Sequence, residues 1–191
     1  MYNLVQEGFL FSIKVNRIIT HIKKLNGVKR LISSFIKDAL LLKDKLGVLL
    51  FQMPPSFHCT QKNLKKISDT LKYLRKNFKN LDFAFEFRHA SFDNNKTKDI
   101  FQKYNCAVVF FDSSRYPKIN IDASNISYFR FHGPKELFAS LYSAKDIKNI
   151  AKTIKSLSHK KDRIYCYFNN DFNGYAIKNA LQLKKNLKFN F

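Results

Sequence analysis

The chain has 191 residues, 45% of them hydrophobic, which is enough for one well-buried domain and too little for two. Its longest apolar stretch, residues 46–53, is far shorter than the roughly 20 residues of a membrane helix, and its first residues do not resemble a signal peptide. These features predict a single domain over residues 1–191 in a cytoplasmic protein with no membrane partner. Three widely spaced cysteines fit reduced thiols in that compartment.

The formal net charge is +21, from 35 Lys and Arg against 14 Asp and Glu. Such a surplus favours phosphate backbones and keeps nucleic acid open as a partner. Most of the cations are lysines at solvent-facing helical positions, however, whereas arginine supplies most bidentate contacts to bases and phosphates. We therefore expect a small ligand in preference to a nucleic acid.

Apolar runs of strand length alternate with helical patterns along the whole chain. The predicted strands are residues 9–15, 48–52, 82–88, 107–112, 126–132 and 163–169. Apolar residues at helical spacing predict helices over residues 29–45, 61–77, 96–104, 144–157 and 175–187. Residues 113–125 show no helical stripe, so we expect an irregular connection there. Strands that alternate with helices predict an α/β fold with a parallel sheet or barrel.

Alternation along the predicted strands separates an apolar face from a polar one. In the third strand Phe83, Phe85 and Phe87 point one way and belong against helices, so Glu86 and Arg88 point into the sheet or barrel interior. The same period places Tyr128, Arg130 and His132 on one face of the fifth strand. It groups Val48, Leu50 and Gln52 on one face of the second strand, and Val108, Phe110 and Asp112 on one face of the fourth.

Polar side chains stand near the downstream end of every predicted strand. Because the carboxyl ends of parallel strands meet at one edge, these residues are expected to form one site. The candidate ligand-binding residues are Lys14, Gln52, Arg88, His89, Arg130, Asn169 and Asn170, and the candidate catalytic residues are Glu86, Asp112 and His132.

Five motifs occur in a fixed order. They are Phe11-Ser12-Ile13-Lys14 with Arg17, Thr20 and His21; Lys45-Leu46-Gly47 with Gln52 and Pro54-Pro55; Phe85-Glu86-Phe87-Arg88-His89; Arg130-Phe131-His132-Gly133; and Tyr165-Cys166-Tyr167-Phe168-Asn169-Asn170 with Asn179-Ala180-Leu181. In this combination the chain resembles the YecE-like family, domain-of-unknown-function family 72. The resemblance covers essentially the whole chain. It implies a TIM barrel with its functional face at the strand ends, and it implies no particular reaction or cofactor.

A complete TIM barrel has eight strands in about 250 residues, whereas only six strands are predicted here. Members of the YecE-like family carry about two further β/α units before the segment that begins near Gly8. We therefore expect an incomplete TIM-type (β/α) barrel of about six parallel strands, N-terminally truncated relative to the family. Such a barrel leaves open edges, which pairing with another chain would cover.

The leading functional hypothesis is an enzyme, or the remnant of one, that binds a small anionic substrate with a phosphate or carboxylate group. Lys14, Arg88 and Arg130 would hold the anion, the arginines by bidentate contacts. Glu86 would act as general acid or base, with a pKa set by the arginine it meets. His89 and His132 are candidates for proton transfer, and Asn169 for orienting the substrate.

Three alternatives stay open. One is metal-assisted hydrolysis, including that of nucleic acid, with ligands drawn from Glu86, Asp112, His21, His89 and His132. Another is a non-catalytic ligand-binding protein or inactive fragment. The last is a purely structural role, in which the charged residues form an ion-pair network that plugs the barrel mouth.

Overall fold

The computed structural model describes residues 5–188, and strands alternate with helices through them. The strands are β1 Phe11–Lys14, β2 Leu46–Gln52, β3 Asp82–Glu86, β4 Ala107–Val108, β5 Phe110–Asp112, β6 Ile126–Phe131 and β7 Arg163–Phe168. The helices are α1 Lys29–Ala39, α2 Gln61–Asn77, α3 Asn95–Lys103, α4 Ala144–Ser158 and α5 Tyr175–Leu187. Each of the six predicted strands and five predicted helices has a counterpart, and residues 113–125 contain neither.

All strand pairs are parallel, in the order β1-β2-β3-β4 and then β5-β6-β7. The predicted fourth strand is divided at Val109, whose N–H donates to the carbonyl of Phe85 at 2.9 Å. Its first half pairs with β3 and its second half pairs with β6. This division turns one continuous run of strands into two sheets that follow each other around an incomplete TIM-type barrel.

Three apolar clusters fill the fold and confirm the predicted strand faces. The barrel interior contains Val48, Leu50, Ala84, Val109 and Tyr128 among others. Outside β1 to β4, the phenylalanines of β3 pack with α1, α2 and α3, and outside β5 to β7 a third cluster packs against α4 and α5. The fourth run follows the same rule, since Val108 and Phe110 lie on the helix side while Val109 and Phe111 lie inside. Asp112 therefore continues the outer face.

The first helix is shorter than its apolar pattern predicts. It ends at Ala39, and residues Leu40–Lys45 form a 3-10 turn in which Lys43 has a φ of 49°. A residue in this left-handed region cannot continue a right-handed helix. The turn brings the chain directly into β2, all seven residues of which are buried.

The two ends of the strand order differ from its middle. Within residues 5–188, β1 pairs only with β2 and β7 pairs only with β6, and both strands are half-buried for most of their length. The large exposed apolar side chains of the described residues also lie in the chain before β2 or after β6. The prediction that another chain covers this opening stays a prediction. No helix within residues 5–188 has the length and apolar character needed to cross a membrane.

Gly133, just after β6, should be one of the least replaceable positions. Its φ is +105°, and a Cβ added there would lie 2.4 Å from the carbonyl oxygen of Glu136. Gly133→Ala is expected to lower the free energy of unfolding by about 3 kcal/mol or more, because backbone strain and a backbone clash add. Gly27→Ala, at a φ of +61° with no atom within 4 Å, should cost only about 1 kcal/mol. Urea unfolding of both variants measures the difference. Equal losses in the free energy of unfolding would contradict the backbone clash described at Gly133.

Candidate functional site at the carboxyl edge of the strands

Glu86, the last residue of β3, is the centre of the polar cluster. Its side chain is fully buried (0% exposed), and both carboxylate oxygens accept hydrogen bonds. Oε1 accepts from Gln52 Nε2 at 2.8 Å and from Arg88 Nε at 2.9 Å. Oε2 accepts from Arg130 Nη1. Residues from β2, β3, β6 and the chain after β3 are thereby tied to one carboxylate, as the strand-end alignment predicts.

The environment of Glu86 keeps it ionised. Burial by itself raises the pKa of a carboxyl group, but the charges and hydrogen bonds of Arg130 and Arg88 outweigh burial here. The pKa of Glu86 therefore lies below its ordinary value. Its two oxygens serve as fixed acceptors for the arginines.

The two guanidinium groups are held from several sides. Arg130 Nη2 donates to Asn169 Oδ1 at 3.0 Å, next to the end of β7. The guanidinium of Arg88 lies 4.6 Å from the ring centroid of Tyr116 and 5.7 Å from that of Phe111. The side chains of Arg88 and Arg130 keep 15% and 12% of their surface exposed. Their orientation is fixed, and both still reach solvent.

Further cations stand near this cluster on the side of β1. Lys14, the last residue of β1, is exposed, and Arg17 follows it. The pKa of His21 is lowered mainly by burial and then by the charges of Arg17, Arg88 and Lys14. Three positive side chains therefore act on one imidazole at this edge, against a smaller opposing effect of Glu86.

His132 is the least satisfied polar side chain of the site. It is 1% exposed, and within the described chain neither ring nitrogen has a hydrogen-bond partner. Its ring contacts Phe111 at 4.5 Å and Phe138 at 5.2 Å between centroids. Burial lowers the pKa of His132 to about 4, and the charge of Arg130 acts in the same direction. The imidazole is neutral at pH 7, with one donor and one acceptor available.

Asp112, Asn170 and His89 contact partners other than the Glu86 carboxylate. Asp112 lies on the outer face, where it accepts from the Tyr142 hydroxyl at 2.8 Å and pairs with Lys118 at 2.6 Å. Asn170 is buried and donates to Asn179 Oδ1 at 2.9 Å and to the carbonyl of Ser140 at 3.0 Å. These contacts connect the loop after β6 to α5.

His89 is also separate from the Glu86 carboxylate. Its ring stacks on that of His58 at 3.9 Å, and its Nδ1 accepts from the backbone N–H of Ser91 at 3.2 Å. The His89 side chain therefore caps the N-terminus of a short 3-10 turn over residues 90–92.

Sequence reasoning missed Tyr116. Its ring covers Arg88, but it lies in the irregular segment 113–125, where no period assigns a face to a side chain. A lone aromatic among Ser, Pro and Arg residues was the only available signal.

The side chains proposed as metal ligands do not form a metal site in the described part of the chain. Within residues 5–188 no three His, Cys, Asp or Glu side chains are placed to hold one ion.

Comparison with known proteins identifies the family. The family model described as "Protein of unknown function DUF72" matches residues 1–191, so the chain belongs to the DUF72 family, and the predicted resemblance is confirmed.

Solved structures of the same family share the fold. A DUF72 family protein from Thermotoga maritima is 29% identical with a TM-score of 0.82, and the match covers 95% of this chain and 74% of that one. A DUF72 family protein from Enterococcus faecalis is 21% identical with a TM-score of 0.83, over 100% of this chain and 78% of that one. No curated protein matches the chain.

The neutral state of His132 gives the stability a specific pH dependence. Because the folded pKa of about 4 lies below the ordinary value of 6.5, the unfolded chain binds the proton more tightly. The contribution of His132 is therefore fully present above pH 6.5 and is lost as the pH falls toward 4. Between pH 7 and pH 5 the loss should be about 2 kcal/mol.

Urea unfolding at the two pH values measures this loss. His132→Gln should remove about that much of the decrease, whereas His159→Gln, at the exposed end of α4, should leave it unchanged. If His132→Gln loses as much stability on acidification as the wild type, the neutral buried imidazole is the wrong description.

Proposed function

We propose that this member of the DUF72 family binds a small anion, with a phosphate or carboxylate group, at the carboxyl edge of its strands. The observation that carries the proposal is that two guanidinium groups share a single buried carboxylate, Glu86. One negative charge neutralises only one of the two positive charges. The remaining charge lies at a partly exposed position, with Lys14 and Arg17 close by.

Hydrogen-bonding capacity supports the same ligand. Arg88 donates its Nε to Glu86, and its two terminal amino groups form no other hydrogen bond within residues 5–188. Tyr116 and Phe111 hold the plane of this guanidinium in place. A planar group with two donors free on its outer edge matches the two oxygens of a carboxylate or phosphate.

Glu86 has a positioning role in this proposal. A general acid or base needs a free lone pair or proton near the substrate and a pKa near the working pH. Both oxygens of Glu86 are occupied and its pKa is lowered, which favours the anchoring of Arg88 and Arg130 over the acid–base role predicted from sequence. Among the predicted catalytic residues, His132 has ring nitrogens without a partner in the described chain, but it is buried and its pKa is lowered to about 4, so the same criterion counts against it near pH 7.

The opposing view is a structural ion-pair network with no ligand. Both views require Glu86 for folding, so a stability measurement alone does not separate them. A measurement of anion binding does separate them. If the ion pairs are only structural, replacing Arg88 changes anion affinity no more than replacing a surface lysine.

Isothermal titration calorimetry with inorganic phosphate and with acetate tests the proposal at low salt. The wild type is expected to bind at least one of these anions, and Arg88→Gln should weaken binding by about tenfold to a hundredfold, the value of one charge-assisted contact. Arg88→Lys should recover part of the loss. Lys98→Gln removes the same charge from the exposed face of α3 and should change the dissociation constant less than twofold.

Two results would contradict anion binding at this site. One is the absence of binding for both anions in a wild type that unfolds cooperatively. The other is an equal effect of Arg88→Gln and Lys98→Gln, which would show attraction to the net charge of +21 without a specific site.

A further inference from the structure

A cavity lies on the outside of the barrel, between β5, β6 and α4. Its volume is about 450 Å³, within the usual range for small-molecule sites. Residues 113–125, which follow β5, form no helix, and Lys118 and Asn120 of this segment line the cavity. In a regular β/α unit an amphipathic helix would cover this part of the sheet.

The floor of the cavity is aromatic. Phe110 and Phe129 stack on each other at 4.8 Å between centroids, and Phe129 stacks on Phe131 at 6.1 Å. Ile150 of α4 lines the same space. Flat apolar groups pack well on such a surface.

One end of the cavity is acidic. Asp112 and Asp146 both line it, in a chain with only 14 Asp and Glu residues in total. The Asp112 carboxylate receives the Tyr142 hydroxyl on one oxygen and the ammonium group of Lys118 on the other. Hydrogen bonds from Ser143 lower the pKa of Asp146, which keeps that carboxylate ionised near pH 7.

The ammonium group of Lys118 pairs with Asp112, so this end of the cavity already binds a positive charge. Its side chain is 66% exposed, and its Nζ lies 2.6 Å from Asp112 Oδ1. Ion pairs exposed to this degree are worth little and exchange readily. An incoming ammonium group can therefore take the position that the Lys118 ammonium now occupies.

From the aromatic floor and the acidic end, we propose that this cavity binds an organic cation, a primary amine attached to a flat apolar body. The amine pairs with Asp112 and displaces Lys118, and the apolar body lies on Phe110 and Phe129. This site lies on the outer side of β5 and, among the described residues, shares only the wall at Phe111 with the cluster around Glu86, and the proposal does not rest on anion binding.

The probe is 2-phenylethylammonium, titrated at pH 7 into the ¹⁵N-labelled full chain and followed by amide chemical shifts. The anionic analogue 3-phenylpropanoate and the neutral analogue 2-phenylethanol have the same ring and similar length. At the amides of residues that line the cavity we expect millimolar binding of the cation, and at least tenfold weaker binding of the anion. Shifts that the anion causes around Arg88 belong to the anion site proposed above. The net charge of +21 attracts the anion instead, so cation selectivity cannot come from the overall charge.

Two variants test the partners of the amine. Asp112→Asn keeps an oxygen for the Tyr142 hydroxyl and removes the charge, so it should weaken cation binding at least fivefold. Lys118→Ala should tighten binding by about twofold to fivefold, because the competing ammonium group is gone. A merely structural Asp112–Lys118 pair predicts no such gain.

A matched pair of variants tests the location. Thr153→Trp introduces a ring on the wall of the cavity and should abolish binding, whereas Lys152→Trp, one residue away and outside the lining, should not. The proposal is overturned if the anion or the alcohol shifts the amides of the cavity lining with the same affinity as the cation, if Lys118→Ala leaves the affinity unchanged, or if both tryptophan variants behave alike.

Discussion

The carboxylate of Glu86, shared between Arg88 and Arg130, is the interaction on which the carboxyl edge depends. An ionised carboxylate with no exposed surface is stable only when its oxygens are paired. Here the partners come from β2, from β6 and from the chain after β3, so the pairing also fixes how these segments meet. Arg130 extends the connection to Asn169 after β7. One buried charge thus connects side chains from three strands, β2, β3 and β6, and from the chain after β3 and β7.

The site is positive because two arginines pair with one carboxylate. Two arginines are more than one carboxylate needs, and Arg88 is held additionally by aromatic rings. The neutral His132 beside them avoids adding a further buried charge. A site of this kind keeps donors oriented before a ligand arrives, which lowers the cost of binding an anion. The outer cavity is acidic at one end, because Asp112 lies on the outer face of β5, on the side of α4.

Much of the fold follows from two periods in the sequence. The period of two separated the two faces of β2, β3 and β6 and assigned Glu86 and Arg88 to the interior, and the strand-end position predicted that Arg130 lies near them. Helical spacing located α2 and α5 with their observed bounds. The division of the fourth strand at Val109 has no such signal, because it follows from how β4 and β5 pair with different neighbours.

The remaining site features depend on tertiary placement. Tyr116 lies over Arg88 from an irregular segment. Asn170 is occupied by Asn179, nine residues later, and by the carbonyl of Ser140, 30 residues earlier. Polar type and strand-end position predicted a common location for Asp112 and Glu86. Alternation itself places Asp112 with Phe110 on the outer face, away from that carboxylate.

A double-mutant cycle between Glu86 and Arg130, measured by urea unfolding at pH 7, tests the central claim most directly. Glu86→Gln should lower the free energy of unfolding by about 3–5 kcal/mol, since it leaves two guanidinium groups without their shared charge. Combining it with Arg130→Gln should cost at least 1 kcal/mol less than the sum of the single changes, because the two residues act as one unit. A loss below about 1 kcal/mol for Glu86→Gln, or strict additivity in the double variant, would contradict the account.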